Sequence, residues 1–329
     1  MSAQRSATVI GAGVSGLTTA YVLLAAGWQV RVVARQPFEE CVSRVAAAIW
    51  TSTTAEPMER TRPWALRSRE RFAEFAADPA TGVRPLRQRE FELKDMDMAA
   101  WEATGFVRRL RDDELPDGYQ AGFEIDGFSI EPSICLSWLR DEVRRLGAEF
   151  EIGEVSRIEE LDAEVVVNCA GLGSVELIGD TTMFPIRGQV VTIDKAARSG
   201  MAIEDGVSDE SENAGIAYVY PRSTDVVLGG TRESGQFGLE PDPATTERIL
   251  RDCAALEPRV MGATAQEVRV GLRPGRPQVR LELDPEFMEF TVVHNYGHSG
   301  AGYILSWGCA EEVLQMLSQG SPDGATVAT

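Results

Sequence analysis

Histidine is almost missing from this chain. Only His294 and His298 occur among its 329 residues, both inside the segment His294-Asn-Tyr-Gly-His298. A histidine-rich metal centre is thereby excluded, and no metal site is expected. No Ser-His-Asp, paired-carboxylate or P-loop pattern stands out either. Cysteine is sparse too: Cys41, Cys135, Cys169, Cys253 and Cys309 are odd in number, far apart and without CxxC spacing. They read as thiols of a reducing compartment and not as a disulfide frame or zinc site. No apolar run approaches the roughly 20 residues of a membrane span; the longest, around Tyr21 to Ala26, is cut off by Gly27. The opening MSAQRSATVIG has no apolar signal core, so a cytoplasmic protein without a membrane partner is expected. Positive charge is also short: 32 basic residues face 51 acidic ones, a formal charge of −19. Such a surface repels phosphate backbones, which removes nucleic acid as a partner. It disfavours nonspecific association but is compatible with a homodimer. An anionic substrate would need positive charge concentrated inside its own site.

What is present is globular material, long enough for one large or two modest domains. The first residues read as a strand (Ala7 to Ile10), a glycine turn, a helix (about Ser15 to Ala26) and a second strand (Gln29 to Ala34). Arg67 to Phe75 and Leu136 to Leu146 carry helical spacing, and the EVVVNC run at 164–169 suits a buried parallel strand. From Phe184 to Leu228 the text turns to alternating stretches such as GQVVTID and AYVYP. A strand-like run, Phe290 to His294, precedes the glycine-rich segment Gly297 to Gly302, and a closing helix is expected over about Ala310 to Leu317.

Gly11-Ala-Gly13-Val-Ser-Gly16 follows the first strand and opens the first helix. Gly11 permits the tight turn, Gly13 lets a pyrophosphate approach the backbone, and Gly16 lets helix and strand pack closely. The helix start then offers free N–H groups to phosphates. The acidic ribose ligand usual near position 34 or 35 is replaced by Ala34-Arg35-Gln36. Arg35 suits an NADP phosphate, the phosphate side of FAD, or the plain surface. A chain that begins with this motif and ends with a second glycine-rich segment suits an extended FAD. The expected fold is α/β: a discontinuous Rossmann-type FAD-binding domain (1–75, 145–183 and 284–320) with a β-rich substrate-binding domain (76–144 and 184–283). A disordered tail is expected over 321–329.

Val270-Gly-Leu-Arg-Pro-Gly-Arg-Pro-Gln-Val-Arg280 gathers three arginines among stiffening prolines in an acidic chain. A guanidinium fork matches a carboxylate; the bland alternative is a surface turn with salt bridges. Tyr218 and Tyr220, alternating along AYVYP, suit core packing as readily as a substrate, and His294 and His298 suit a hydrogen-bonded loop.

The order of these segments resembles the D-amino-acid oxidase and D-aspartate oxidase family along nearly the whole chain. The matching stretches are VIGAGVSGL, RVAAAIW, VVVNCAGLG, AYVYP followed by VVLGGTR, VGLRPGRPQVRLE and HNYGHSGAGYILSWG. The resemblance implies that Arg273 and Tyr218 bind a substrate α-carboxylate and that the Gly300 carbonyl lies near the amine. It implies that FAD is lined by Gly11, Gly13, Val14, Ser15, Gly16, Arg35, Gln36, Ser43, Ala48, Ile49, Trp50, Thr51 and Val155. Ser299, Gly300, Ala301, Gly302, Tyr303 and Ile304 complete that lining. The activity implied is oxidative deamination of D-amino acids by hydride transfer from Cα to flavin N5, with O2 as acceptor and hydrogen peroxide, ammonia and a 2-oxo acid as products. Arg232, in GGTR, resembles the D-aspartate oxidase pattern, in which an arginine meets a side-chain carboxylate. HSGAGYILSWG resembles the yeast D-amino-acid oxidases, and the broad D-amino-acid specificity is preferred. SENAGIAY has no match for the lid tyrosine of vertebrate members. ATVAT, at the end of the sequence, lacks the peroxisomal SKL-type signal. A glycine or sarcosine oxidase-like flavoprotein and a non-enzymatic dinucleotide-binding protein are the rival readings.

Overall fold

A computed structural model describes residues 5–94, 97–195, 203–209 and 216–319; the expected tail 321–329 and most of SENAGIAY lie outside them. The chain opens as its pattern predicts. Strand β1 (Ser6–Ile10) leads through a glycine turn into helix α1 (Val14–Ala25), and β2 (Gln29–Ala34) returns parallel to β1. Gly27, at φ +83°, stands just past the helix end, where a left-handed residue stops a helix without Cβ strain. Next come β3 (Ile49–Trp50), α2 (Met58–Phe75), β4 (Val83–Glu92), α3 (Ala99–Glu102), β5 (Val107–Arg109) and β6 (Ala121–Ile130). Then follow α4 (Pro132–Arg145), β7 (Glu149–Ile152), β8 (Val165–Asn168) and α5 (Ser174–Ile178). The middle of the chain is β-rich: β9 (Phe184–Asp194), β10 (Gly206–Asp209), β11 (Ala217–Pro221), β12 (Asp225–Gly229) and β13 (Glu233–Ser234). Helix α6 (Pro243–Leu256), β14 (Glu267–Gly275), β15 (Arg280–Leu283), β16 (Thr291–Tyr296) and α7 (Gly302–Gln319) complete it.

These strands form two sheets. The first has the order β15-β16-β8-β1-β2-β7, parallel except for the edge strand β15. Its central strands are valine-rich and buried, as a sheet covered on both faces requires. The second sheet has ten strands and runs β13-β9-β12-β11-β10-β4-β6-β3, with β14 added on β9 and β5 on β6. Here β9 is the organising strand, because β12, β13 and β14 all pair with it.

The sequence reading shortened two helices. Helix α7 begins at Gly302, well before the expected Ala310, because Tyr303 to Ala310 are all buried in the core. Tertiary packing there overrides the poor helix propensity of glycine. Helix α2 starts at Met58, before the expected Arg67, and runs through Pro63. It is held against α7: Arg60 pairs with Glu312 at 2.6 Å, Arg71 with Glu311 at 2.9 Å, and the Trp64 indole donates to Glu312. Two placements cross the expected boundaries. Strand β3, within 1–75, pairs with β6 of the ten-stranded sheet, and α4, within 76–144, packs on α1.

The α2–α7 crossing depends on one missing side chain. A Cβ on Gly308 would lie 2.3 Å from both Cα and O of Trp64, and neither backbone atom can step aside alone. Replacing Gly308 with alanine is therefore expected to destabilise the fold by about 1–3 kcal/mol through overpacking. Urea unfolding of the two proteins side by side measures it.

Candidate active site

The glycine fingerprint is a set of steric necessities. Gly11 has φ +107°, and a Cβ there would lie 2.5 Å from Cys169 O at the end of β8. A Cβ on Gly16 would lie 1.9 Å from Gly11 O, so α1 touches the turn that precedes it only because Gly16 has no side chain. No side chain caps α1 at Gly13, and its first turn carries no acidic residue. The positive end of the helix therefore faces the adjoining cavity unopposed by acid from its own first turn. Ser43 Oγ takes the Val14 N–H at 3.0 Å and ties the segment from 41 to 48 to the helix start.

This cavity, of about 1550 Å³, lies between the two sheets. The fingerprint residues Gly11, Gly13, Val14 and Ser15 line it, with Arg35 and Gln36 from the end of β2. Ser43, Ala48, Ile49, Thr51 and Val155 line it as well, as do Ser299, Gly300, Ala301, Gly302, Tyr303 and Ile304 around the start of α7. Tyr218, Arg232 and Arg273 reach it from the ten-stranded sheet. The structure thus brings nearly all the expected residues to one chamber. Gly16 and Trp50 differ. Gly16 acts one layer behind, as above, and the fully buried Trp50 donates its indole N–H to Ala65 O at 2.7 Å, away from the chamber. Ala48 and Ser299 both take φ +51°, a conformation unusual outside glycine and concentrated at functional sites.

Of the two histidines, one knits this chamber together. His298 is buried, with Nε2 at 3.1 Å from Asn295 Oδ1 and Nδ1 at 3.4 Å from Ser15 Oγ. Asn295 Nδ2 donates to Thr19 Oγ1 at 3.1 Å, so its Oδ1 is the acceptor and the His298 proton sits on Nε2. Nδ1 then accepts from the Ser15 hydroxyl. Burial pushes the imidazole down to about 4, so it is neutral at pH 7. His294 lies in β16 with Nε2 at 2.8 Å from Asp284 and Nδ1 at 3.3 Å from Asn168. Burial lowers its pKa as well, against the raising pull of Asp284. Each ring nitrogen of both histidines has a partner within the fold.

The three arginines of the 270–280 segment divide by role. Arg276 pairs with Asp180 at 3.0 Å, and Arg280 donates to the Tyr296 hydroxyl at 2.8 Å and pairs with Glu282 at 2.7 Å. Burial works to raise the Asp180 carboxyl, but hydrogen bonds from Thr182, Tyr296 and Arg276 outweigh it and hold it well below the usual carboxylate range. These two arginines brace the glycine turn: Gly297, at φ +78°, packs on the Arg276 stem. Arg273 differs, since it faces the chamber and donates from Nη1 to the neutral Thr231 carbonyl at 3.0 Å. Its guanidinium lies flat over Gly188, where a Cβ would come within 2.3 Å of Nη1. Tyr218 is seated likewise: a Cβ on Gly229 would come within 1.8 Å of Cζ, and the ring stacks on Tyr220 at 4.8 Å. At the rim, exposed Arg232 lines the chamber, and Glu233 is held by Arg187 at 2.7 Å. Arg35 pairs with Glu176 at 2.9 Å across two exposed side chains.

Sequence reasoning missed Gly188 and Gly229, whose role depends on cross-strand neighbours set by register. It also missed Arg222. That buried arginine donates from Nη2 to Ala46 O at 2.9 Å and Ala47 O at 3.1 Å, holding the strip that lines the chamber before Ala48. Burial lowers its pKa. An arginine directly after AYVYP was the available signal.

Comparison with known proteins gives one consistent result. The family model described as FAD dependent oxidoreductase matches residues 6–316. A D-amino-acid oxidase of Rubrobacter xylanophilus is 47% identical over 314 residues, covering 94% of this chain and 95% of that protein. A D-amino-acid oxidase of Streptomyces coelicolor is 38% identical, covering 94% and 96%. Among solved structures, a glycine oxidase of Bacillus cereus superposes with a TM-score of 0.79 at 18% identity, over 99% of this chain and all of that one. That last likeness is one of fold.

Two outcomes follow from the geometry. Because folding lowers the His298 pKa from 6.5 to about 4, the unfolded chain binds more protons in that interval. Stability is full above about 6.5 and declines as pH falls toward 4. Urea midpoints measured between pH 7 and 4 should fall more steeply for the wild type than for His298→Gln. The atoms nearest a Cβ in Gly188→Ala are the far end of the Arg273 side chain, so the change is expected to alter stability by less than about 1 kcal/mol. A crystal structure of that variant should show the guanidinium displaced from the chamber wall.

Proposed function

The chain belongs to the FAD dependent oxidoreductase family, and on that footing we propose that it oxidises D-amino acids to 2-oxo acids, with ammonia and hydrogen peroxide released. The observation that carries the reading is the meeting of Arg273 and Tyr218 with the glycine fingerprint in one chamber. The residues fit FAD: the α1 start, with no acidic residue in its first turn, suits a pyrophosphate, Gly11 and Gly16 leave room for backbone approach, and the chamber continues to the start of α7. When bound, FAD supplies the two-electron acceptor for a hydride and passes the electrons to O2.

The chain's own work is placement. Arg273 offers a planar fork, and Tyr218 a phenolic hydroxyl, to the α-carboxylate. The Gly300 carbonyl takes an amine N–H at the other side of Cα. Two such anchors fix the carboxylate and the amine, and the requirement that the Cα hydrogen and not the side chain face the electron acceptor then selects one enantiomer. No general base is needed, and neither histidine serves as one, since both are buried and engaged within the fold. The chamber lining includes the apolar Ile186, Val190, Ile216, Tyr220 and Leu239, which favour neutral side chains. The six-stranded sheet and its helices hold the cofactor, and the ten-stranded sheet presents the substrate. The enzyme works in the cytoplasm, consistent with five free cysteines.

A second reading, an enzyme for D-aspartate or D-glutamate, draws on Arg232 at the chamber rim.

Peroxide release measured with D-alanine, D-valine, D-aspartate, D-glutamate, glycine and the L-enantiomers decides between the readings. Turnover of neutral D-forms with L-forms inert is expected; turnover confined to D-aspartate and D-glutamate installs the second reading. Activity on glycine but not D-alanine, or none from a yellow protein, overturns both. Arg273→Ala is expected to raise KM about a hundredfold, since two charge-assisted hydrogen bonds at the low end come to about 3 kcal/mol. The yellow flavin should remain bound.

A further inference from the structure

Arg187 is a buried cation that the proposed chemistry does not use. It lies on β9, 7% exposed. Its Nε donates to Gly238 O at 2.8 Å, its Nη2 to Glu240 O at 2.8 Å and Gln189 Oε1 at 3.2 Å, and its Nη1 to Glu233 at 2.7 Å. A guanidinium is tolerated out of water when its donors meet acceptors this completely. Three of those acceptors belong to the stretch that follows β12.

Gln189, also on β9, secures the ends of the same stretch. Its backbone N–H donates to Thr231 Oγ1 at 2.9 Å, its Oε1 accepts from Asp242 N–H at 2.8 Å, and its Nε2 donates to Asp242 O at 2.9 Å. Residues 231–242 therefore leave one glutamine and return to it, wound round the arginine beside it as an Ω-type loop. Between the two, Gly188 provides the floor for the Arg273 guanidinium. Three consecutive residues of one strand thus hold the loop's centre, the clamp's floor and the loop's ends.

The loop presents two features to the chamber. Thr231 O receives Arg273 Nη1 at 3.0 Å. Leu239 lines the chamber although it is 58% exposed, an apolar surface that a bound apolar side chain would cover.

We propose that residues 231–242 form a side-chain selector and that Arg187 is its positioning residue, holding Thr231 O against Arg273 and Leu239 beside the substrate. The selector favours D-amino acids with extended apolar side chains over short ones. This rests on the oxidase reading above.

The test is peroxide-release kinetics with D-leucine and D-alanine on flavin-loaded wild type, Arg187→Lys, Glu233→Gln and Leu239→Ala. Lysine cannot reproduce a planar fork that serves several acceptors at once. In Arg187→Lys the ratio of kcat/KM for D-leucine over D-alanine is expected to fall roughly tenfold, with kcat changed by less than about threefold. Glu233→Gln keeps the arginine and weakens one anchor by removing its charge, so the ratio should fall by a smaller factor; Leu239→Ala should lower it through the wall itself. The Kd of propionate, a carboxylate that is not oxidised, read from the flavin absorbance, should rise in Arg187→Lys. An unmoved ratio in the folded variants overturns the proposal, and so does a loss of kcat equal for both substrates, the mark of a merely structural arginine. Should Arg187→Lys not fold, Glu233→Gln and Leu239→Ala decide by the same ratio. A yellow wild type silent on both substrates overturns the oxidase reading instead.

Discussion

Helix α1 can lie against its own entry turn only because Gly16 lacks a side chain, and much of the molecule is arranged around that contact. The 1.9 Å that a Cβ would leave to Gly11 O is far inside any tolerable separation. With the contact made, the helix start faces the chamber, Ser15 reaches His298, and Thr19 reaches Asn295. The turn before α7 is thereby locked to the turn before α1, although the two are at opposite ends of the sequence. The two glycine-rich segments form a single wall because polar side chains on α1 and β16 are matched to one another.

The acidic surface and the cationic interior are parts of one arrangement. A chain of charge −19 can recruit an anion only where a cation is set into a recess. Arg35 and Arg276 also line the chamber, but each is paired to a carboxylate. Arg273 is aimed by the Thr231 carbonyl and by a glycine floor, which together set the direction of its guanidinium.

Much of this was legible in the sequence, and the rest was not for identifiable reasons. The opening βαβ unit was readable because its glycines, its apolar strands and Gly27 are local signals that agree with one another. The early start of α7 was not, since GYILSWG is a poor helix by propensity and becomes one by packing against α1 and α2. Arg273 was readable through its resemblance to a family motif, whereas composition left it level with Arg276 and Arg280. The seats of Arg273 and Tyr218 were invisible. Gly188 and Gly229 matter through strand register, which a single sequence does not display. The direction of the Trp50 side chain, toward α2, was likewise not readable from its matching segment.

Among the described residues, one chamber reaches from the fingerprint to Arg273. Whatever settles at the fingerprint end becomes part of the enclosure for whatever settles at the arginine end. Two guests sharing one room can touch one another. If the first favours the second by some factor, the second must favour the first by the same factor. Any such contact would link retention of the cofactor to occupancy of the arginine end.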